Sequence, residues 1–147
     1  MNYRESSENY LETILVLSKR GRGRPIHSSD VAEALSYARP SVSVALKKLR
    51  EGGHIVVDAD SHIILTKSGR EIAESMYERH TLISDWLVSL GVDRKNAAND
   101  ACRMEHVLSE QSFAALKKHV ANQKHGGAKP PKSKAADLKP PRRKAPA

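Results

Sequence analysis

The chain has 147 residues, 39% of them hydrophobic and only six aromatic, which allows one modest, mainly aliphatic core or two small ones. One cysteine excludes an internal disulfide, and no apolar run reaches the 18 residues that a bilayer-spanning helix needs. The formal net charge is +8, an excess that favours polyanionic partners over acidic surfaces of other kinds.

In chain order, the segment ENYLETILVLSKR sets Tyr10, Leu11, Ile14, Leu15 and Leu17 at helical spacing, and GRGRP breaks it. Ser28 or Ser29 is expected to cap a short helix, DVAEALS, with Val31, Ala34 and Leu35 on its apolar stripe. A three-residue link, YAR, leads to Pro40, expected at the first helical position of a segment running through SVSVALKKLRE to Gly52-Gly53. There Val42, Leu46 and Leu49 follow i, i+4, i+7. HIVVDADSHIILT reads as two short β-branched strands around a DADS turn. Helix, helix, turn, helix and hairpin in this order make a winged helix-turn-helix, with the Pro40 helix in the recognition role.

Beyond Thr66 the pattern is wholly helical. Gly91 separates KSGREIAESMYERHTLISDWLVSL from a further helix, and SEQSFAALKKHV makes a last one, with Asp93 and Ser109 as expected N-caps. From Gly126 onward Lys, Pro and Ala dominate, and a disordered tail is expected. The fold class is therefore mainly α, in three parts. Residues 1–68 form a winged helix-turn-helix DNA-binding domain, 69–122 a helical domain, and 123–147 a basic, Lys/Pro-rich tail.

The charge is unevenly placed. Residues 121–147 carry eight Lys/Arg and one Asp, residues 19–50 eight basic and two acidic groups, and residues 71–110 four basic and eight acidic. One stretch suits polyanions and another suits cations. On the recognition helix, the short polar Ser41 and Ser43 lie beside Pro40 at the N-terminal end, where base edges are read, and the basic Arg39 there is a phosphate contact. Lys47, Lys48 and Arg50 follow as phosphate contacts. Arg22 and Arg24 either reach the backbone or are ordinary loop residues. For the cation-rich reading, Cys102, Glu105 and His106 are spaced i, i+3, i+4, so a helix would set thiol, carboxylate and imidazole on one face. Those donors suit a divalent transition metal rather than Ca²⁺ or Mg²⁺. A buried cysteine beside a surface Glu-His pair explains the spacing equally simply. Asn9 and Glu12 share a face of the first helix, and His80 lies on the long helix. Taken alone, these three are ordinary helix residues.

SENYLETIL, DVAEALSYARPSVSVALKKL, LTKSGREIA, RHTLI and DACRMEHVLS, in that order over residues 5–120, together resemble the DtxR/MntR family of metal-dependent transcriptional repressors. The resemblance implies a homodimer, a helical metal-binding and dimerisation domain, and binding to a palindromic double-stranded DNA operator when metal is bound. Carried over by position, it implies metal ligands at Asn9, Glu12, His80, Cys102, Glu105 and His106. The manganese branch of the family has Asp where this chain has Asn9 and Glu where it has Cys102. Cys102-x-x-Glu105-His106 looks like the iron branch, although that branch places Met at position 9.

The iron branch's ancillary carboxylate and histidine fall here at Ser84 and Ala98, so that site is not expected, and His80 is left without its usual partners there. The branch's third, SH3-like domain also has no counterpart. A sulfur ligand favours Fe²⁺, with Mn²⁺ next and Zn²⁺ and Co²⁺ able to bind in vitro. The expected mechanism is that metal restricts the orientations of the two DNA-reading helices. Ile83, Trp86, Leu87 and Leu90 are candidates for the dimer surface. The rival readings are a metal-independent winged-helix regulator with Cys102 as a redox switch, a metal-dependent hydrolase using Glu105 as base, and an architectural binder acting through its tail. A cytoplasmic location is expected, since the polar start MNYRESSENY lacks a signal-peptide core.

Overall fold

The computed structural model describes residues 3–123. The Lys/Pro-rich tail expected from 123 onward lies, past Gln123, outside the described residues. The order is α1 (Tyr3–Arg20), α2 (Ser28–Leu35), α3 (Arg39–Glu51), β1 (Ile55–Val57), β2 (Ile63–Leu65), α4 (Lys67–Ser89), α5 (Arg94–Met104) and α6 (Glu110–Gln123). Two compact units divide between Tyr77 and Glu78, inside α4. No helix among the described residues is long and apolar enough to cross a membrane.

The first unit is a winged helix-turn-helix. Tyr10, Leu11, Ile14 and Leu15 of α1 are buried with Val31, Ala32 and Leu35 of α2 and Val42, Leu46 and Leu49 of α3, so each apolar stripe meets the others in one core. Burial in that core, and then Tyr37 with its ring 6.1 Å away, raises the pKa of the Tyr10 phenol. The hairpin β1–β2 is antiparallel, pairing Ile55 with Leu65, Val56 with Ile64 and Val57 with Ile63. Ile55 and Ile63 face the core while Val56 and Ile64 face outward, the period-2 alternation of a one-sided sheet. The N–H of Ile63 also donates to the Ile26 oxygen at 2.8 Å, which ties the loop before α2 to the wing.

Two helix starts differ from expectation. The cap of α2 is His27, whose main-chain N–H donates to the Asp30 carboxylate at 2.8 Å; Ser28 and Ser29 are already helical. The reason is that a carboxylate at the third helical position reaches back over the first turn, which moves the cap one residue earlier. In α3 the first helical residue is Arg39, with Ala38 as cap, so Pro40 is not the first but still sits in the turn whose N–H groups have no helical partner.

Thr66 stands just before α4 and caps it: its hydroxyl donates to the Gly53 oxygen at 2.7 Å and accepts from the Gly69 N–H at 3.3 Å. Gly69 itself is where α4 crosses the start of the wing. A Cβ there would lie 1.9 Å from the His54 main-chain oxygen. Ala for Gly inside a helix ordinarily stabilises by up to about 1 kcal/mol. Here the sign is reversed, because a backbone atom has to move. Gly69→Ala is expected to destabilise by about 1–3 kcal/mol in urea unfolding.

The wing turn is held by Asp58, whose carboxylate accepts from the N–H groups of Asp60 and His62, both at 2.9 Å. The His62 N–H, with that of Asp60 and the nearby imidazole adding to it, holds the Asp58 pKa below its ordinary value. A lowered folded-state pKa means the contribution to the turn is complete above the ordinary carboxylate range and is lost as pH falls through the depressed value. In an acid titration followed by NMR, the Asp60 and His62 amides should therefore shift at a pH below that of an unperturbed aspartate. A midpoint at the ordinary value contradicts this.

In the second unit Asp93 and Ser109 are the caps of α5 and α6, accepting from the N–H groups of Asn96 at 3.2 Å and Ser112 at 3.1 Å. Ile83 is fully buried, Trp86 and Leu87 are partly buried and Leu90 is exposed, so Ile83 belongs to the core and the other three present apolar surface to differing degrees.

Candidate metal centre and nucleic-acid interface

In the second unit, four of the six residues expected to bind metal converge. His80 comes from α4 and Cys102 from α5. Glu105 is the C-cap just past the end of α5, and His106 follows in the turn. The expectation of one helix carrying Cys102, Glu105 and His106 needs correction: α5 stops at Met104. Glu105 keeps helical backbone angles, φ −59° and ψ −30°, and the N–H groups of Val107 and Leu108 both return to the Met104 oxygen. The Val107 bond spans three residues and the Leu108 bond four, so the helix ends on a shared, tighter turn. The spacing still gathers the side chains because the geometry stays helical through Glu105.

His80 Nδ1 lies 2.9 Å from Glu105 Oε2 and 3.7 Å from Cys102 Sγ, and His106 Nε2 lies 3.2 Å from Glu105 Oε1. The side chains of Glu105, His80 and His106 are only 0%, 3% and 4% exposed. His80, whose usual ancillary-site partners are replaced here by Ser84 and Ala98, instead shares the carboxylate of Glu105. A buried carboxylate loses several kcal/mol of hydration, on the order estimated for single ions, unless positive charge or donors replace it. Here His80 meets one of its oxygens, and His106 Nε2 lies 3.2 Å from the other.

Ligand atoms of His80, Cys102 and Glu105 lie within 4.8 Å of one another. Thiol, imidazole and carboxylate together form a donor set for a first-row transition metal, since hard cations such as Ca²⁺ select oxygen alone. The residues present fit such an ion. Asn9 and Glu12 stand in the first unit on neighbouring turns of α1, Asn9 half-buried and Glu12 buried. The Asn9 main-chain oxygen accepts from the Thr13 hydroxyl at 2.8 Å.

The first unit presents α3 to solvent. With Val42, Leu46 and Leu49 turned into the core, Arg39, Pro40, Ser41, Ser43, Lys47, Lys48 and Arg50 are all exposed. Lys47 has Glu51 at 3.9 Å, which offsets part of its charge. Arg22 and Arg24 are exposed in the turn before α2. One residue of this face was missed by reasoning from residue type. Val44 is 57% exposed, at i+3 from Ser41 and i−4 from Lys48. A groove of about 160 Å³ opens beside it, lined by Ser6, Ser7, Ser41, Val44 and Lys48 among others. The signal was available: Val44 falls off the Val42–Leu46–Leu49 stripe. An apolar side chain on a base-reading face can contact a thymine methyl group.

Comparison with known proteins brings both units to the same place. Residues 3–63 match a family model described as the iron dependent repressor N-terminal DNA binding domain, and residues 66–131 one described as the iron dependent repressor metal binding and dimerisation domain. An uncharacterised HTH-type transcriptional regulator from Methanocaldococcus jannaschii is 35% identical over 114 residues, 77% of this chain and 90% of that one. The transcriptional regulator MntR of Escherichia coli O157:H7 is 34% identical over 124 residues, 84% of this chain and 77% of that one. Among solved structures, that of the manganese regulator SloR superposes with a TM-score of 0.70 at 31% identity, covering 78% of this chain and 53% of that one. A manganese-dependent transcriptional repressor in complex with manganese gives 0.68 at 25% identity, with 78% and 52% covered. The chain thus spans about half the length of these solved structures.

Proposed function

This chain belongs to the iron-dependent repressor family, the DtxR/MntR group of metal-dependent DNA-binding transcriptional repressors, and on that premise we propose that Fe²⁺, with Mn²⁺ next, is its co-repressor. The family and the relatives are transcriptional regulators, not enzymes, which removes the hydrolase reading of Glu105. A homodimer binding a palindromic operator and controlling metal uptake or homeostasis completes the proposal.

The observation that supports the metal reading best is the convergence of His80, Cys102, Glu105 and His106 around one buried carboxylate. When bound, the cation supplies the positive charge that lets a thiolate and a carboxylate share so dry a place. His80 and His106 orient Glu105 from two sides, and Cys102 adds the sulfur that tilts preference from Mn²⁺ toward Fe²⁺. Asn9 and Glu12 enter the ligand set through the resemblance alone. On the DNA side, Ser41 and Ser43, beside Pro40, read base edges while Arg39, Lys47, Lys48 and Arg50 hold phosphates. Metal acts on DNA affinity through the difference in its own affinity for the free and DNA-bound protein.

The test is anaerobic titration with Fe²⁺, Mn²⁺ and Zn²⁺, reading fluorescence anisotropy on DNA selected from a random library. Fe²⁺ or Mn²⁺ is expected to tighten binding at least tenfold, which needs about 1.4 kcal/mol of coupling. Chelation should return the protein to weak, salt-sensitive binding. Unchanged affinity across all three metals supports the metal-independent regulator instead. Asn9→Ala and Glu12→Ala, titrated the same way, decide whether α1 contributes ligands.

A further inference from the structure

We infer that Arg79 is a positioning residue for the metal site, holding the Glu105–Leu108 turn so that Glu105 and His106 are set in place before any cation arrives. The inference rests on the ligand reading above. Arg79 is buried, 7% exposed, and precedes His80 on α4. Its Nη1 donates to the main-chain oxygens of Glu105 at 3.1 Å and Leu108 at 2.6 Å. Both belong to the end of α5 and the turn after it, where carbonyls have no helical donor. The guanidinium carbon also lies 5.0 Å from the centre of the Phe113 ring on α6.

Consequently one residue, Glu105, is gripped twice from α4. His80 meets its carboxylate and Arg79 meets its carbonyl. The second grip fixes the backbone that the first leaves free to rotate about the side chain. Leu108, two residues beyond His106, is held by the same nitrogen, so His106 lies between two anchored carbonyls. The guanidinium donates to both carbonyls while its carbon stands over the Phe113 ring, a combination that the single nitrogen of a lysine reproduces only in part. Groups that orient ligands in this way commonly change metal affinity about 10–100-fold when removed.

The experiment uses the full chain and Co²⁺ as probe, measuring its dissociation constant and the thiolate-to-cobalt absorption band of Cys102. Arg79→Met is expected to raise the Co²⁺ dissociation constant about 10–100-fold, and Arg79→Lys by about three- to tenfold, a partial rescue. If Arg79→Met does not fold, the Lys variant decides, with hydrogen exchange of the 106–108 amides in metal-free protein as a second readout. Faster exchange together with weaker Co²⁺ binding in that variant supports the role. Co²⁺ affinity within about threefold of wild type in the folded variants, set against the 10–100-fold expectation, overturns it. Wild-type protein that binds Co²⁺ without the thiolate band overturns the ligand reading itself, whatever the Arg79 variants do.

Discussion

Glu105→Gln is expected to abolish metal-dependent DNA binding while leaving the metal-free fold within about 1 kcal/mol of wild type. The two effects separate because the carboxylate does different things in the two states. Without metal, Glu105 is a fully buried carboxyl group with imidazoles at 2.9 and 3.2 Å. An amide of the same shape keeps a hydrogen-bonding oxygen for His80 and no longer bears the hydration lost by a charge. With metal, the amide offers one neutral oxygen where a charged oxygen ligand stood. Two orders of magnitude or more in metal affinity should go, about 3 kcal/mol at 1.4 per tenfold. Calorimetric metal titration and thermal unfolding, run side by side, check both halves. A variant that unfolds at much lower temperature and a variant that still responds to metal each contradict the account. His106→Ala should also lose the metal response, but with a real loss of stability, since it opens a void beside Glu105 and removes its partner at 3.2 Å.

On the DNA face, the double substitution of Lys48 and Arg50 by Ala should flatten the dependence of log affinity on log salt by about 3.6 for the proposed dimer, close to 0.9 for each of two phosphate contacts per protomer. Both are exposed and lie outside the core stripe, so the fold should be unaffected. Affinity at moderate salt should fall by one to two orders of magnitude, about equally for selected and unrelated DNA, because phosphate contacts carry no sequence. Lys47→Ala should do less, as Glu51 already stands 3.9 Å from its ammonium. Val44→Ala provides the opposite signature: an unchanged salt slope and a loss confined to particular bases. If Lys48 and Arg50 leave the slope untouched, α3 is not the phosphate-contacting helix.

Much of this was written in local pattern. Five apolar positions of α1, the Val42–Leu46–Leu49 stripe, the DADS turn and the Asp93 and Ser109 caps are each decided within a few residues, where helical or strand periodicity leaves little choice. Local reasoning failed where neighbours compete. Ser28 and Ser29 can cap a helix, and only the reach of Asp30 to the His27 N–H moved the cap. The end of α5 at Met104 is of the same kind, since Cys102, Glu105 and His106 look continuous on paper.

By itself, the sequence determined the order of elements, the basic face of α3 and the residue types able to hold a transition metal. Tertiary structure alone decided that His80, 25 residues before Glu105, meets that carboxylate, and that Arg79 grips the same residue by its backbone. Periodicity is a property of the chain over one or two turns, whereas a contact across 25 residues exists only once α4 and α5 pack. Packing depends on the fit of whole surfaces, which no short stretch of residues contains.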